Sequence, residues 1–275
     1  MLMDKIYELI DSCASTKKSV LIADIDSGEV LFDYNSELVF RSASTIKTPM
    51  LIFALRKCMD GERTLDESIK ITEPLSDSRI FDRGDAEASL WKILYFMVTV
   101  SDNTATNVII RELGFDAINS YFRSIGLEKT CLRRRMLDWN AVADGLENET
   151  TNREMLSLYS ALFRGELLDE RYTNYAKAIL ADQQDKSLVL RYIDRNVTAY
   201  HKSGGLDNLV HDCGVFQVNN KNIYVGVFTD GAPDVNAKCG EQLCGAVGEL
   251  LYPPCGSDIP PTALFMPSAT KDNFL

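Results

Sequence analysis

Hydrophobic patterns typical of β-strands occur near both ends of this chain and almost nowhere between them. Apolar runs bounded by turn-forming residues predict strands at about 19–25, 29–34, 196–204, 210–218 and 223–229. Because strands must pair, we predict one antiparallel sheet assembled from both chain ends. The predicted fold class is therefore α+β, with helices flanking the sheet and an all-helical lobe inserted into it.

The middle of the chain has the periodicity of helices instead. Helices are predicted at 3–14, from Ser44 to about 60, at 87–98, 103–113, 115–124, 151–163, 168–181 and 235–251. This pattern divides the chain into an α/β lobe (1–58 and 184–252), a helical lobe (59–183) and a tail (253–275) in which prolines break regular structure. We expect an active site between the two lobes.

Composition excludes several classes of protein. The 275 residues are 45% hydrophobic, which suits a globular core, and a net charge of -11 argues against a nucleic-acid or anionic-membrane surface. No stretch approaches the ~18 consecutive apolar residues of a membrane span, and charged residues interrupt the region where an export signal would be apolar. The sequence as it stands predicts a cytoplasmic protein, or an exported one whose leader has been removed.

The cysteines and histidines do not indicate a metal site. Seven cysteines without regular spacing predict reduced, mostly buried thiols. Cys239 and Cys244 are five residues apart on a predicted helix, so they point about 140° apart and cannot share a metal ion. We therefore expect neither a metal nor a cofactor, and the oligomeric state is left open.

Three short motifs follow one another along the chain: Ser44-Thr45-Ile46-Lys47, Ser101-Asp102-Asn103 and Lys202-Ser203-Gly204. We call them the first, second and third motif. The Ser-x-x-Lys spacing alone says little, since Ser15 and Lys18 share it in the same sequence. The three motifs in this order are improbable by accident, and together they indicate an active site for serine-mediated acyl transfer.

The first motif can supply a nucleophile and its base. Ser44 and Lys47 are three residues apart at the start of a predicted helix, so their side chains lie within reach of each other. A neutral Lys47 amine can take the Ser44 proton, in place of the histidine of other serine hydrolases. Taken alone, a pair with this spacing is far more often a helix cap and a solvated lysine.

The second motif can supply a proton relay and an orienting amide. The Ser101 hydroxyl can pass a proton to a leaving nitrogen, and Asn103 can hold both Lys47 and a substrate amide. In isolation, Ser-Asp-Asn is also a common way to begin a helix.

The third motif ends a predicted strand and can bind substrate. Lys202 gives positive potential for a carboxylate, and Ser203 gives a hydrogen bond. Gly204 and Gly205 leave room for the backbone to approach, and the Gly205 N–H can join that of Ser44 as an oxyanion donor. The alternative is a strand that simply ends in a glycine turn.

Two further side chains are weaker candidates. His201 precedes Lys202 on the predicted strand, and alternation places the two on opposite faces, so we expect a packed or surface histidine rather than a catalytic one. Asp138 is a possible general base, although acidic residues are common on any protein surface.

These motifs, in this order, resemble those of the class A β-lactamases and related penicillin-recognising serine hydrolases. The resemblance covers about residues 17–252 and includes 100–107, 118–127, 211–215 and 225–230. It implies a β-lactamase/transpeptidase-like fold and an acyl-enzyme on Ser44. It also implies a small-molecule substrate, either a β-lactam or a peptidoglycan-like peptide.

One family feature is missing from the sequence. Class A enzymes have a Glu-x-x-Leu-Asn sequence whose glutamate activates the deacylating water, and residues 133–149 contain none. Asp138 is the nearest acidic candidate, and Glu147 and Glu149 are expected to pair with an arginine. Three alternatives stay open: a β-lactamase, a D-Ala-D-Ala peptidase-like or other amide or ester hydrolase, and a penicillin-binding protein with slow turnover.

Overall fold

The computed structural model describes residues 2–83 and 86–252, and its main layer is a five-stranded sheet. The strands are β1 (Lys17–Asp24), β2 (Val30–Tyr34), β3 (Val39–Arg41), β4 (Ser68–Ile71), β5 (Ala86–Ser89), β6 (Glu149–Thr151), β7 (Ala199–Leu206), β8 (Leu209–Val218) and β9 (Lys221–Asp230). The large sheet has the order β2-β1-β9-β8-β7 and is antiparallel throughout. Since β1 pairs with β9, the prediction of one sheet made from both chain ends is confirmed.

Helices cover the sheet and fill the middle of the chain. They are α1 (Leu2–Ser12), α2 (Lys47–Met59), α3 (Leu90–Thr99), α4 (Asn103–Leu113), α5 (Phe115–Ser124), α6 (Trp139–Ala143), α7 (Asn152–Phe163), α8 (Glu170–Ala181) and α9 (Lys238–Leu251). All but the short α6 lie close to predicted positions. The α+β fold class is therefore confirmed.

The sheet lies between two hydrophobic cores. Along β1, Val20 and Ile22 join a cluster with α1 and α9, whereas Leu21 and Ala23 join a larger cluster with α2 and the helices of the middle region. Successive side chains of a strand point to opposite faces, so a strand covered on both sides is apolar at every position. This explains the unbroken apolar run in β1.

Two short strand pairs, β3 with β6 and β4 with β5, interrupt or border the region predicted to be helical. The helix predicted at 87–98 begins only at Leu90, because residues 86–89 pair with β4 and the Ser89 side chain caps the helix by accepting from Lys92 N. The sequence predicts none of these short strands, although the region is otherwise helical as expected. Strands of three or four residues give too little alternation to be detected.

The predicted lobe boundaries at 58 and 184 stay a prediction, and the tail at 253–275 lies outside the described residues. Within residues 2–83 and 86–252, no helix has the length and apolar character needed to cross a bilayer. In the same part of the chain the cysteines are free thiols, and no cluster of His, Cys, Asp or Glu side chains is arranged to hold a metal ion.

Candidate active site

Ser44 lies in a 3₁₀ turn, Ala43–Ile46, that leads directly into α2. The α-helix thus begins at Lys47, about one turn later than predicted. Strand β7 passes very close to this turn, because a Cβ atom on Gly204 would lie 2.9 Å from the backbone N of Ser44. Glycine permits this approach. The third motif is thereby held directly against the first.

Lys47 is fully buried at the start of α2 and connects the first motif to the second. Its Nζ donates to the Ser101 carbonyl O (2.8 Å), to Ser101 Oγ (3.0 Å) and to Asn103 Oδ1 (2.8 Å). Burial, reinforced by the nearby charge of Lys202, holds the pKa of Lys47 well below its ordinary value. A lysine that loses its proton readily is what a general base for a serine hydroxyl requires.

Asp102, the middle residue of the second motif, is buried and connects helix α4 to the segment 75–81 through hydrogen bonds. Its buried carboxylate caps α4 by accepting from Ala105 N (2.8 Å). Its other oxygen accepts from Ser78 Oγ (2.5 Å) and Ile80 N (3.0 Å), which fixes the segment 75–81 beside the cleft. Ser101 itself has a left-handed backbone (φ 59°), and such strain persists where the surroundings enforce it.

Lys202 of the third motif is also fully buried, and its Nζ donates to the Ser203 carbonyl O (2.7 Å). Burial lowers the pKa of Lys202 to about 8, although the nearby carboxylates of Asp185 and Asp212 oppose the shift. Burial alone would raise the pKa of Asp185, but hydrogen bonds from Ser187 and Ser203 hold it below its ordinary value. An ionised Asp185 therefore lies close to the lysine expected to bind a substrate carboxylate.

Two adjoining cavities meet at Ser44, and both are also lined by Asp77, Asn103 and Gly205. The first, of about 250 Å³, has further lining from Arg79, Ser101, Asp102, Asp185, Ser203 and Gly204. The second, of about 180 Å³, has further lining from Arg134, Met136, Leu137, Trp139, Asn148 and Leu206. We call the first the motif cavity. The second is the loop cavity, because most of its further lining comes from residues 133–149, which we call the loop. The structure thus brings all three motifs to one cleft.

Asp138, the candidate base, caps the short helix α6. Its carboxylate accepts from Ala141 N at 3.0 Å, which is the usual role of an aspartate before a helix. It lines neither the motif cavity nor the loop cavity. A catalytic role for Asp138 stays a prediction, and the capping bond gives its carboxylate a separate structural purpose.

The two glutamates of the same loop pair with arginines, as the sequence led us to expect. Glu147 accepts from Arg134 at 2.8 Å, and the Arg134 side chain is 6% exposed. Glu149 pairs with Arg133 at the surface. These two carboxylates therefore stabilise the loop through ion pairs, and neither lines the two cavities at Ser44.

Both histidines are packed. His201 is buried, and its Nδ1 lies 2.8 Å from Asp212 Oδ1, which confirms the expectation of a packed side chain. His211 is hydrogen-bonded to the Arg41 and Val210 carbonyls, and burial lowers its pKa to about 4. Neither histidine lines the two cavities at Ser44.

Several residues that line the cavities could not be predicted from the sequence, because they belong to no motif. Asp77 and Arg79 reach the cleft from the segment 75–81, and Asp185 reaches it from the residues before β7. Met136 and Trp139 come from the loop. No local pattern marks them, since their position is set by distant contacts such as those of Asp102.

Solved structures with this fold define the class of protein. The β-lactamase of Sphaerobacter thermophilus DSM 20745 has a TM-score of 0.81 and 27% identity, with coverage of 90% of this chain and 96% of that one. PBP-A has a TM-score of 0.81 and 25% identity, with coverage of 91% and 94%. An ancestral class A β-lactamase, 22% identical, shares the fold with a TM-score of 0.83 and coverage of 92% and 99%. The fold is that of the class A β-lactamases.

Sequence comparison agrees with this class. The sequence model of the β-lactamase enzyme family matches residues 1–253, and the chain belongs to this family. Similar curated proteins include β-lactamase FAR-1 of Nocardia farcinica, 29% identical over 173 residues (60% of this chain, 54% of that protein), and β-lactamase CARB-3 of Pseudomonas aeruginosa, 26% identical over 189 residues (67% and 65%). The matches thus span between about half and two thirds of these relatives.

Proposed function

We propose that this protein opens the amide bond of a β-lactam through an acyl-enzyme on Ser44. The observation that carries the proposal is the buried Lys47 amine, which has a lowered pKa and is hydrogen-bonded to Ser101 and Asn103 beside the cavities that Ser44 lines. Membership of the β-lactamase enzyme family supports the substrate class.

The arrangement supports a complete acylation step. Neutral Lys47 Nζ takes the Ser44 proton as Oγ attacks the carbonyl carbon, and the backbone N–H groups of Ser44 and Gly205 donate to the oxyanion. When the tetrahedral intermediate collapses, the C–N bond breaks. Ser101 gives its hydroxyl proton to the leaving nitrogen and receives in its place the proton that Lys47 Nζ took from Ser44, through the hydrogen bond from Nζ to Oγ, so that both side chains end neutral. The products are an acyl ester on Ser44 and an opened ring.

The motif cavity is suited to the substrate carboxylate. Ser203 and Arg79 line it, and Lys202 lies buried behind Ser203. A buried cation attracts an anion more strongly than a solvated one does, because water screens it less. We propose that the carboxylate of the substrate binds here, which orients the scissile amide toward Ser44.

Release of the acyl group needs a base that activates water. The loop offers no carboxylate to the loop cavity, and the Asp77 carboxylate that lines it accepts a hydrogen bond from Asn103. We propose that deacylation is slower than acylation. A variant of PBP-A in which a leucine is replaced by glutamate forms an acyl-enzyme complex with penicillin G, and its fold matches this one with a TM-score of 0.79 at 25% identity. That complex supports a penicillin ester as a species that a fold of this kind can hold.

The second candidate function is therefore a penicillin-binding protein with slow turnover, or a D-Ala-D-Ala peptidase-like hydrolase that penicillins block. The side chains of Met136 and Trp139 on the loop wall favour it, because neither can activate water. Resistance to a β-lactam antibiotic would require the faster release of the first candidate.

Time-resolved intact-mass measurement with a penicillin and a cephalosporin tests the proposal, because it reports acylation and release separately. We expect one adduct per chain at Ser44 and a decrease of at least ~10⁴-fold in acylation for Ser44→Ala. Rapid loss of the adduct with product accumulation supports the β-lactamase, and a single burst supports the slow binder. No adduct and no turnover with either compound would overturn both.

A further inference from the structure

Asp77 places a negative charge at the junction of the two cavities. Its carboxylate lines both, and its Oδ2 accepts a hydrogen bond from Asn103 Nδ2 at 2.9 Å. Among residues 2–83 and 86–252, the hydrogen bond to this carboxylate comes from the neutral Asn103 amide, and no arginine or lysine forms an ion pair with it. The charge is close enough to Lys47 to oppose the lowering of its pKa.

The position of Asp77 is fixed by its neighbours rather than left to a free loop. Leu75 N donates to Thr104 Oγ1 at 2.8 Å on one side, and Ser78 Oγ donates to Asp102 Oδ2 at 2.5 Å on the other. Both acceptors belong to the first residues of α4 or its cap. Groups held before binding lose less entropy when a ligand arrives, so a fixed carboxylate can discriminate between ligands.

In the loop cavity, no unpaired positive charge of the described lining residues compensates the negative charge of Asp77. Arg134 also lines this cavity, but its guanidinium is already paired with Glu147 at 2.8 Å. The rest of the lining is uncharged: Ser44, Asn103 and Asn148 are polar, and Met136 and a Trp139 side chain that is 60% exposed are apolar. A cavity lined by both an indole and a carboxylate suits a group that is both apolar and cationic.

We propose that Asp77 selects substrates whose acyl substituent carries a protonated amine. This rests on the proposed function: with the substrate carboxylate in the motif cavity and its carbonyl at Ser44, the acyl substituent extends into the loop cavity. The ammonium then lies near Asp77 and Trp139, and an acyl substituent bearing a carboxylate is repelled from the same place.

Three penicillins that differ at one carbon test this selection. Ampicillin, benzylpenicillin and carbenicillin have an ammonium, a hydrogen and a carboxylate, respectively, on the same phenylacetyl-type substituent. At about pH 6 the amine is protonated. We expect second-order acylation rates, followed by intact mass, to be about tenfold higher for the ammonium than for hydrogen and about tenfold lower for the carboxylate.

Asp77→Asn removes the charge and replaces the carboxylate with an amide of nearly the same shape. It is expected to bring the ratios between the three rates close to one, whatever happens to their common value. Asp82→Asn is the matched control, because Asp82 lies on the same connection and lines neither cavity. This control should keep the ratios of the unmodified protein.

Three results would overturn the proposal. Equal rates for the three penicillins would remove charge selection while leaving acylation at Ser44 intact. Ratios that persist in Asp77→Asn, with all three rates lowered alike, would assign Asp77 to the positioning of Asn103 instead. No adduct with any of the three would remove the proposed function and this selection together.

Discussion

The two walls of the Ser44 cleft, formed by the three motifs and by the loop, differ in the charged groups that they bring to it. On the motif side, Lys47 and Lys202 are fully buried lysines with lowered pKa values, and both are hydrogen-bonded to polar partners. On the loop side, the charges of Arg134 and Glu147 neutralise each other, and Met136 and Trp139 face the cavity. Attack on the substrate and release of the product therefore depend on separate elements, so one can change without the other.

Apart from loss of the Ser44 nucleophile, the largest effect is expected from placing a carboxylate on the loop wall. Met136→Glu introduces a general base at a position that lines the cavity with Ser44, and a base of this kind accelerates such steps by ~10²-fold or more. We expect the deacylation rate, measured by intact mass after removal of free penicillin, to rise by ~10²-fold. Met136→Gln has nearly the same shape without the charge and should not reproduce the increase. An equal increase in both variants would assign the effect to loop packing.

A smaller effect is expected from pH on the motif wall. The pKa of Lys202 is about 8, so its positive charge disappears as the pH rises through that value. The KM for an anionic penicillin should then rise by about tenfold in total above pH 8, after which binding no longer depends on this charge. The profile can be measured between pH 6 and 10, with Lys202→Arg as a variant that stays charged. A KM that is constant across this range would contradict the assignment of Lys202 to carboxylate binding.

The pH effect on binding can be separated from unfolding. The pKa of Lys202 is lower in the folded chain than the ~10.4 of an unperturbed lysine, so between these values the unfolded chain binds the extra proton. The contribution of Lys202 to the free energy of unfolding therefore increases with pH in that window. Weaker binding there is not a consequence of this lysine destabilising the fold.

The smallest effect is expected at Asp138. Asparagine caps helices about as well as aspartate, so Asp138→Asn should preserve the bond to Ala141 N and change deacylation by less than about twofold. The same acyl-enzyme assay measures it. Accumulation of a trapped acyl-enzyme in this variant would instead identify Asp138 as the base and show that the loop moves during turnover.

Most of the fold could be predicted because its strands and long helices repeat their patterns over many residues. The exceptions are short. Residues 86–89 form a strand although Ala-Glu-Ala-Ser has little strand propensity, because they pair with β4 and lead into the Ser89 cap. Pairing of this kind is decided by distant backbone partners, which a local pattern does not contain.

The residues of the candidate site also fall into those that the sequence predicts and those that it does not. Ser44, Lys47 and the other motif residues could be predicted because the chemistry requires those residue types at those spacings. Asp77 could not, since its position results from donors on 75–81 meeting the buried carboxylate of Asp102. Its neighbour in space, Trp139, is more than sixty residues away in sequence.

The pairing of β1 with β9 also affects the order in which the protein forms. Contacts between residues 17–24 and 221–230 close a loop of most of the chain, and such contacts form slowly in folding. Helices α3, α4 and α5 follow one another in the chain and contact in that order, so they can associate earlier, during synthesis or refolding. Because β7 carries Lys202 and extends the same sheet, the cleft is completed at the end of this process. Recovery of acylation should therefore follow recovery of helical signal in a refolding experiment.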